Sequence, residues 1–158
     1  MAFARLGTAV RLRRKPLAEV VRAILAERGG PRGTLSLCAV SDVEMRRLSS
    51  TYKGSADTTD VLAFDLADGL AGPPVSGEVI VNAELAQTAG RRYGNTPDRE
   101  LALYVIHGTL HLSGLDDGTA AARRGMRAAE ATYLALYDRL CAPRPRHRRR
   151  EGGKPSKH

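Results

Sequence analysis

A chain of 158 residues that is 42 % apolar is long enough for one domain with a real core and too short for two packed ones. Its formal charge of +8 is terminal in origin, since the first 15 residues hold five bases and no acid, and residues 142–158 hold seven bases and one acid. Two cysteines, Cys38 and Cys141, exclude a disulfide-stapled secreted scaffold, and no apolar run approaches the roughly 20 residues of a membrane span. A soluble protein of a reducing compartment is expected. The Arg-rich, acid-free start has the look of a transit peptide, but Arg outnumbers Lys along the whole chain, which explains it as well.

In chain order, Pro16 at a first helical position followed by Leu17, Val20, Val21, Ile24 and Leu25 predicts an amphipathic helix ended by Gly29 and Gly30. Residues 34–40 alternate as a strand does, and Ser41 with Glu44 forms a capping box that opens a helix through Met45, Leu48 and Tyr52. Residues 61–66 and 78–82 read as two strands joined by a long Gly/Pro loop over 69–76. Residues 83–93 read as helical. Thr96-Pro97 starts a further helix whose apolar groups run around nearly its whole circumference, so it should be buried. Thr119 caps a last helix with Met126, Ala129, Tyr133, Leu136, Tyr137 and Leu140 at spacings of three and four. The first 15 residues offer only a faint strand signal, at residues 9–12. The expected architecture is α+β, a single domain over 1–141 with a small mixed sheet of about four strands flanked by helices. Residues 142–158, basic and nearly without apolar groups, are expected to be a disordered tail. That tail either adds phosphate contacts to an RNA surface or is simply solvated.

Two of the four histidines, His107 and His111, lie four residues apart in the buried helix, which puts both imidazoles on one face, one turn apart. Gly114 then turns the chain back, so that Asp116 or Asp117 faces the same point. Two imidazoles and a carboxylate suit zinc and leave a fourth tetrahedral position for a water whose pKa the metal lowers. The alternative, two satisfied histidines beside an Asp/Gly turn, stacks polar rings in an apolar helix at some cost. The spacing also fits zinc peptidases. They carry Glu directly after the first histidine, as the base, and here that position is Gly108. A phosphodiester asks more for a metal ion and nearby cations than for a second carboxylate.

The string His107-Gly-Thr-Leu-His111-Leu-Ser-Gly114-Leu-Asp116-Asp117 resembles the signature of the YbeY-type endoribonucleases, bacterial rRNA maturation factors with the pattern His-Gly-x-Leu-His-Leu-x-Gly-Tyr-Asp-His. Thr59-Asp60-Val61-Leu62-Ala63-Phe64 is similar to that family's Thr-Asp-Val-Leu-Ser-Phe strand, and Gly77-Glu78-Val79-Ile80-Val81 to its Gly-Asp-Ile strand. The likeness spans about residues 34 to 140. It implies a zinc-dependent endoribonuclease that cleaves single-stranded RNA, matures the 3′ end of small-subunit rRNA and serves ribosome quality control in the cytoplasm, with the ribosome or ribosomal proteins as partners. The implied metal ligands are His107, His111 and Asp117, with Lys53 and His107 as catalytic residues.

Two positions depart from the family pattern. Its third metal histidine falls on Asp117, whose carboxylate is an acceptable zinc ligand but reduces Lewis acidity. Its arginine falls on Lys53 of Tyr52-Lys53-Gly54, which keeps the charge but loses the bidentate fork. Asp116 reads as a turn former or as a partner orienting an imidazole. Glu100, seven residues before His107, either supports the site from the same face or is an exposed first-turn carboxylate favoured there by the helix dipole. Glu78 either accepts a proton or bonds a helix end. Tyr52, Phe64 and Tyr93 are expected in the core rather than stacked on bases, and Cys38 as buried and inert. The basic segment 11–15 either lines an RNA groove or decorates the first helix. A rival of another class is a ribosome assembly factor that binds RNA, its metal structural or absent.

Overall fold

Strand pairing in the computed structural model, which describes residues 2–5, 10–29, 34–67 and 75–143, joins β1 (Ala2–Arg5), β2 (Thr34–Val40), β3 (Val61–Asp65) and β4 (Ser76–Asn82) into one sheet. Their spatial order is β1-β2-β4-β3, with β1, β2 and β4 parallel and β3 antiparallel to β4 at the edge. The helices are α1 (Arg14–Ile24), α2 (Asp42–Lys53), α3 (Ala83–Tyr93), α4 (Pro97–Leu112) and α5 (Ala120–Cys141). The expectation of an α+β domain with a small mixed sheet of about four strands holds. The first strand lies at Ala2–Arg5 and not at residues 9–12; its short run beside the Arg-rich segment gives too few alternations to read, and pairing with β2 creates it. The expected tail beyond Pro143, and the centre of the loop over 69–76, lie outside the described residues.

Side-chain parity divides the sheet into two faces. Leu35, Leu37, Ala39, Val79 and Val81 point to one core, shared with α1, α3, α4 and α5. Cys38, Val40, Leu62 and Ile80 point the other way, where Met45 and Leu48 of α2 cover them. This two-sided cover explains why β2 alternates at its start and is then buried continuously from Leu37 to Val40. Of the helices, α4 is central, packing on β3, β4, α1, α3 and α5. Its apolar circumference is used in full.

Helix ends follow local chemistry. Ser41 caps α2 through the Glu44 amide, but Glu44 turns its carboxylate to Arg47, so only half of the capping box forms. Helix α1 starts two residues before Pro16 and ends in a π-helical turn, Leu25–Gly29. Asn82, fully buried, caps α3 by accepting from the Leu85 amide while its Nδ2 donates to Asp42 Oδ1 (2.8 Å), Thr58 Oγ1 (3.0 Å) and the Thr59 carbonyl (3.3 Å). It thereby pins the loop that leads into β3. Hydrogen bonds from Thr58, Arg46 and Asn82 lower the Asp42 carboxyl from 3.8 to about 2. A depressed carboxylate contributes stability above its unfolded value and loses it as pH falls through the folded one. With 28 % of the Asp42 side chain exposed, Asp42→Asn should cost about 1–2 kcal/mol near neutrality. The difference should shrink as pH falls from 3.8 towards 2, which urea unfolding along a pH series would measure; a difference independent of pH would contradict it.

Candidate metal centre

His107 and His111 lie one turn apart on α4, their rings edge to face with centroids 4.5 Å apart, and their Nε2 atoms face each other at 2.9 Å. Beyond Ser113 the chain reverses at Gly114 (φ +96), a conformation that costs glycine nothing, and the Gly114 and Leu115 amides close the helix on the His111 and Leu110 carbonyls. The turn brings Asp117 back over the helix. Its Oδ2 lies 3.5 Å from His111 Nε2 and 3.7 Å from His107 Nε2. Ligand atoms about 2.0–2.2 Å from a tetrahedral zinc lie about 3.3–3.5 Å from one another, so these spacings are close to the edges of such a site. The three residues form a group that can hold a metal ion.

A fourth residue, Glu130 on α5, fixes the arrangement. Its Oε1 is 2.5 Å from His107 Nδ1. A carboxylate there accepts the Nδ1 proton and leaves the Nε2 lone pair pointing at His111 and Asp117. The same contact raises the His107 pKa above its ordinary value, through the hydrogen bond and then the charge, against the opposing effect of burial. Helix α5 is clamped in register by Arg99, which grips Asp138 with two bonds (2.9 and 3.0 Å), and by Tyr137, whose hydroxyl donates to Asp98 (3.1 Å). Sequence reasoning missed Glu130. Its signal was an acid at the fourth position after Met126 and before Leu134, on the buried stripe of an otherwise apolar face.

The histidines open into a cleft of about 440 Å³ lined also by Tyr52, Lys53, Thr59, Asp60 and residues 61–64. Lys53, last residue of α2, is exposed there and has no ion pair among the described residues. Asp60, unassigned from sequence beyond its motif, adds a third carboxylate near His107, after Glu130 and Asp117. Such concentrated negative charge in a chain of net charge +8 suits a cation. Gly108 faces the sheet: a Cβ there would stand 2.8 Å from Val79 and 2.9 Å from Val61. The position after the first histidine therefore packs against β3 and β4 and has no room for a catalytic Glu.

Other expectations change. Asp116 is a turn former, its Oδ1 accepting from the Asp117 (2.8 Å) and Gly118 (3.2 Å) amides, and it orients no imidazole among the described residues. Glu100 is not an exposed carboxylate, and no bond joins it to His107 among the described residues. It is 5 % exposed and accepts from Asn95 Nδ2 (2.6 Å), because the α3–α4 turn folds over the first turn of α4. Tyr52 and Tyr93 are 63 % and 67 % exposed, not core; each sits on a helix's last turn, beyond the packed stripe. Phe64 is half-buried against the α2-side core. Glu78 lies inside β4 and bonds no helix end among the described residues. In the basic segment, Arg13 pairs with Asp98 (3.2 Å), tying the start of α1 to α4. Cys38 is buried, and burial, with Glu78 and Glu44 nearby, pushes its thiol up, as an inert cysteine requires.

Comparison with known proteins adds independent findings. Residues 8–138 match the family described as Endoribonuclease YbeY. The chain is similar to the Endoribonuclease YbeY of Chlorobaculum tepidum (32 % identical over 118 residues, 75 % of this chain and 84 % of the relative). It is likewise similar to that of Geobacter sulfurreducens (34 % over 128 residues, 77 % of this chain and 85 % of the relative). Among solved structures, the solution structure of TM1509 from Thermotoga maritima superposes with a TM-score of 0.59 at 26 % identity, covering 85 % of this chain and 88 % of that one.

Proposed function

The chain belongs to the YbeY endoribonuclease family, and we propose that it cleaves single-stranded RNA with a zinc ion held by His107, His111 and Asp117. Its substrate in this reading is the small-subunit rRNA precursor, matured at the 3′ end in the cytoplasm, with the ribosome or ribosomal proteins as partners. The observation that carries the reading is the convergence of two imidazole nitrogens and one carboxylate oxygen within 4.8 Å of one another, beside a cleft that also presents Lys53, which has no ion pair among the described residues. A bound divalent ion supplies Lewis acidity there, neutralising phosphate charge and lowering the pKa of a water ligand.

The chain's own residues do the rest. Glu130 holds the His107 tautomer. Lys53 places a point charge against a phosphate oxygen, with less directional grip than an arginine fork. Asp117, where the family pattern has histidine, adds a negative charge that tightens cation binding and softens its Lewis acidity. Residues 1–141 form the hydrolase domain in this reading, and the basic segment 142–158 adds phosphate contacts whose contribution falls as salt rises. Peptide hydrolysis finds no base at Gly108.

Elemental analysis of protein purified without added metal, together with cleavage of labelled single-stranded and duplex RNA, tests the proposal. About one zinc per chain is expected, lost in Asp117→Ala, with cutting confined to the single strand. Zinc bound but RNA intact at every pH would favour an RNA-binding assembly factor with a structural metal.

A further inference from the structure

The face of the sheet covered by α2 is only partly covered. The row Leu62, Ile80 and Cys38 lies under Met45 and Leu48, but the next row outward, where Phe64 pairs with Glu78, opens into a groove of about 530 Å³. That volume falls within the roughly 300–1,000 Å³ of small-molecule pockets. The groove shares Tyr52, Ala63 and Phe64 with the metal cleft, so the Tyr52–Phe64 pair is the ledge between the two spaces. We propose that this groove is a nucleobase pocket, which takes an unpaired base bearing an exocyclic amino group, stacked on Tyr52 and with that amino group on Glu78. The neighbouring phosphate then lies in the metal cleft beside Lys53. The substrate class rests on the endoribonuclease reading above.

Three observations carry the assignment. First, Tyr52 keeps 63 % of its surface in water, yet its ring is held by Phe64 at 4.9 Å and 60°. A large exposed ring already ordered by a neighbour is a stacking platform that has lost its rotamer freedom before any ligand arrives. Second, the floor is apolar, built from Cys38, Val40 and Ile80, and accepts the face of a ring but offers nothing to a phosphate. Third, the rim is acidic. Glu44 is committed to Arg47 through two bonds, and Asp65 accepts from the Ala67 amide, but Glu78 has no hydrogen bond or ion pair among the described residues. Such a rim repels the RNA backbone and accepts hydrogen bonds from an amino group. The backbone is thus kept on the Lys53 side of the ledge and the base on the other. Cytosine, adenine and guanine carry the amino donor; uracil presents a carbonyl there instead. A base paired in a duplex can neither stack on the ledge nor turn its amino edge to Glu78.

Cytosine and uracil differ at the position Glu78 would read, and homopolymers remove any doubt about register. Binding of fluorescein-labelled oligo(C) and oligo(U) is followed by stopped-flow anisotropy, before cleavage. The parent protein should bind oligo(C) more tightly by about five-fold or more. Tyr52→Ala should weaken both by about ten-fold. Tyr52→Phe should bind both as the parent does. Glu78→Gln, whose amide can donate to uracil's carbonyl as readily as it accepts from cytosine's amino group, should erase the preference, with oligo(C) bound more weakly and oligo(U) no more weakly than by the parent. Tyr52 is exposed, so its variants should keep the parent's melting midpoint, and Tyr52→Phe controls for the fold. Equal affinities in the parent, no binding of either oligomer, or a Tyr52→Ala variant that binds like the parent would overturn the pocket. RNA cleavage alongside equal affinities sinks the pocket and spares the nuclease reading, and base discrimination with RNA uncut does the reverse.

Discussion

The His111→Ala variant is expected to lose its metal on dialysis and with it all measurable RNA cleavage. His111 Nε2 is the central atom of the trio, 2.9 Å from one partner and 3.5 Å from the other, and without it only His107 and Asp117 remain, 3.7 Å apart. Two protein ligands do not make a zinc site of either the structural or the catalytic kind, which need four and three. The loss in affinity should therefore exceed the 10–100-fold that follows removal of a mere orienting partner. Folding should survive, because the His111 side chain is 32 % exposed and accepts or donates no hydrogen bond outside the trio among the described residues. Metal content by elemental analysis, cleavage of single-stranded RNA and the thermal unfolding curve together decide it. A folded, metal-free variant that still cuts RNA would show that hydrolysis does not use this centre.

Much of this molecule was written in local chemistry. The i, i+4 histidines, the glycine turn and the following aspartate are a short-range pattern, and α4 preserves it because helical geometry alone brings the two imidazoles together. Asp117 follows from a turn of a few residues. The positions that escaped reading are those set by packing between distant segments. Glu130 meets His107 only because α5 docks along α4, and Glu100 is buried only because Asn95 folds over it. Strand β1 exists through its parallel partner β2, more than 30 residues away in sequence. Tyr52 was expected in the core because aromatics are scarce here, yet a helix's last residues overhang whatever they pack on, and its exposure is what gives the cleft an aromatic wall. Gly108 is a further case. Its lack of a side chain reads from sequence as a missing catalytic base, and in the fold it is also what lets α4 approach Val61 and Val79 closely enough to set both histidines at the cleft.

Glu130→Gln should separate orientation from ligation. The parent carboxylate accepts from His107 Nδ1 at 2.5 Å and, being charged, raises the basicity of the opposite nitrogen. The amide of glutamine retains the shape and one acceptor oxygen but not the charge, and it can also turn its NH2 towards the ring, which favours the tautomer with the proton on Nε2 and the lone pair on Nδ1. In that state the ligand atom facing His111 and Asp117 is blocked. Zinc affinity should fall by about 10–100-fold, so the concentration of zinc needed for half-maximal cleavage rises by that factor, while excess zinc restores most of the rate. KM for RNA should change little, since Glu130 does not line the cleft. A purely structural role for Glu130 would lower the melting midpoint and leave the zinc titration where it was. The two outcomes move different observables, so a single variant, measured against zinc and against temperature, distinguishes a positioning residue from a packing one.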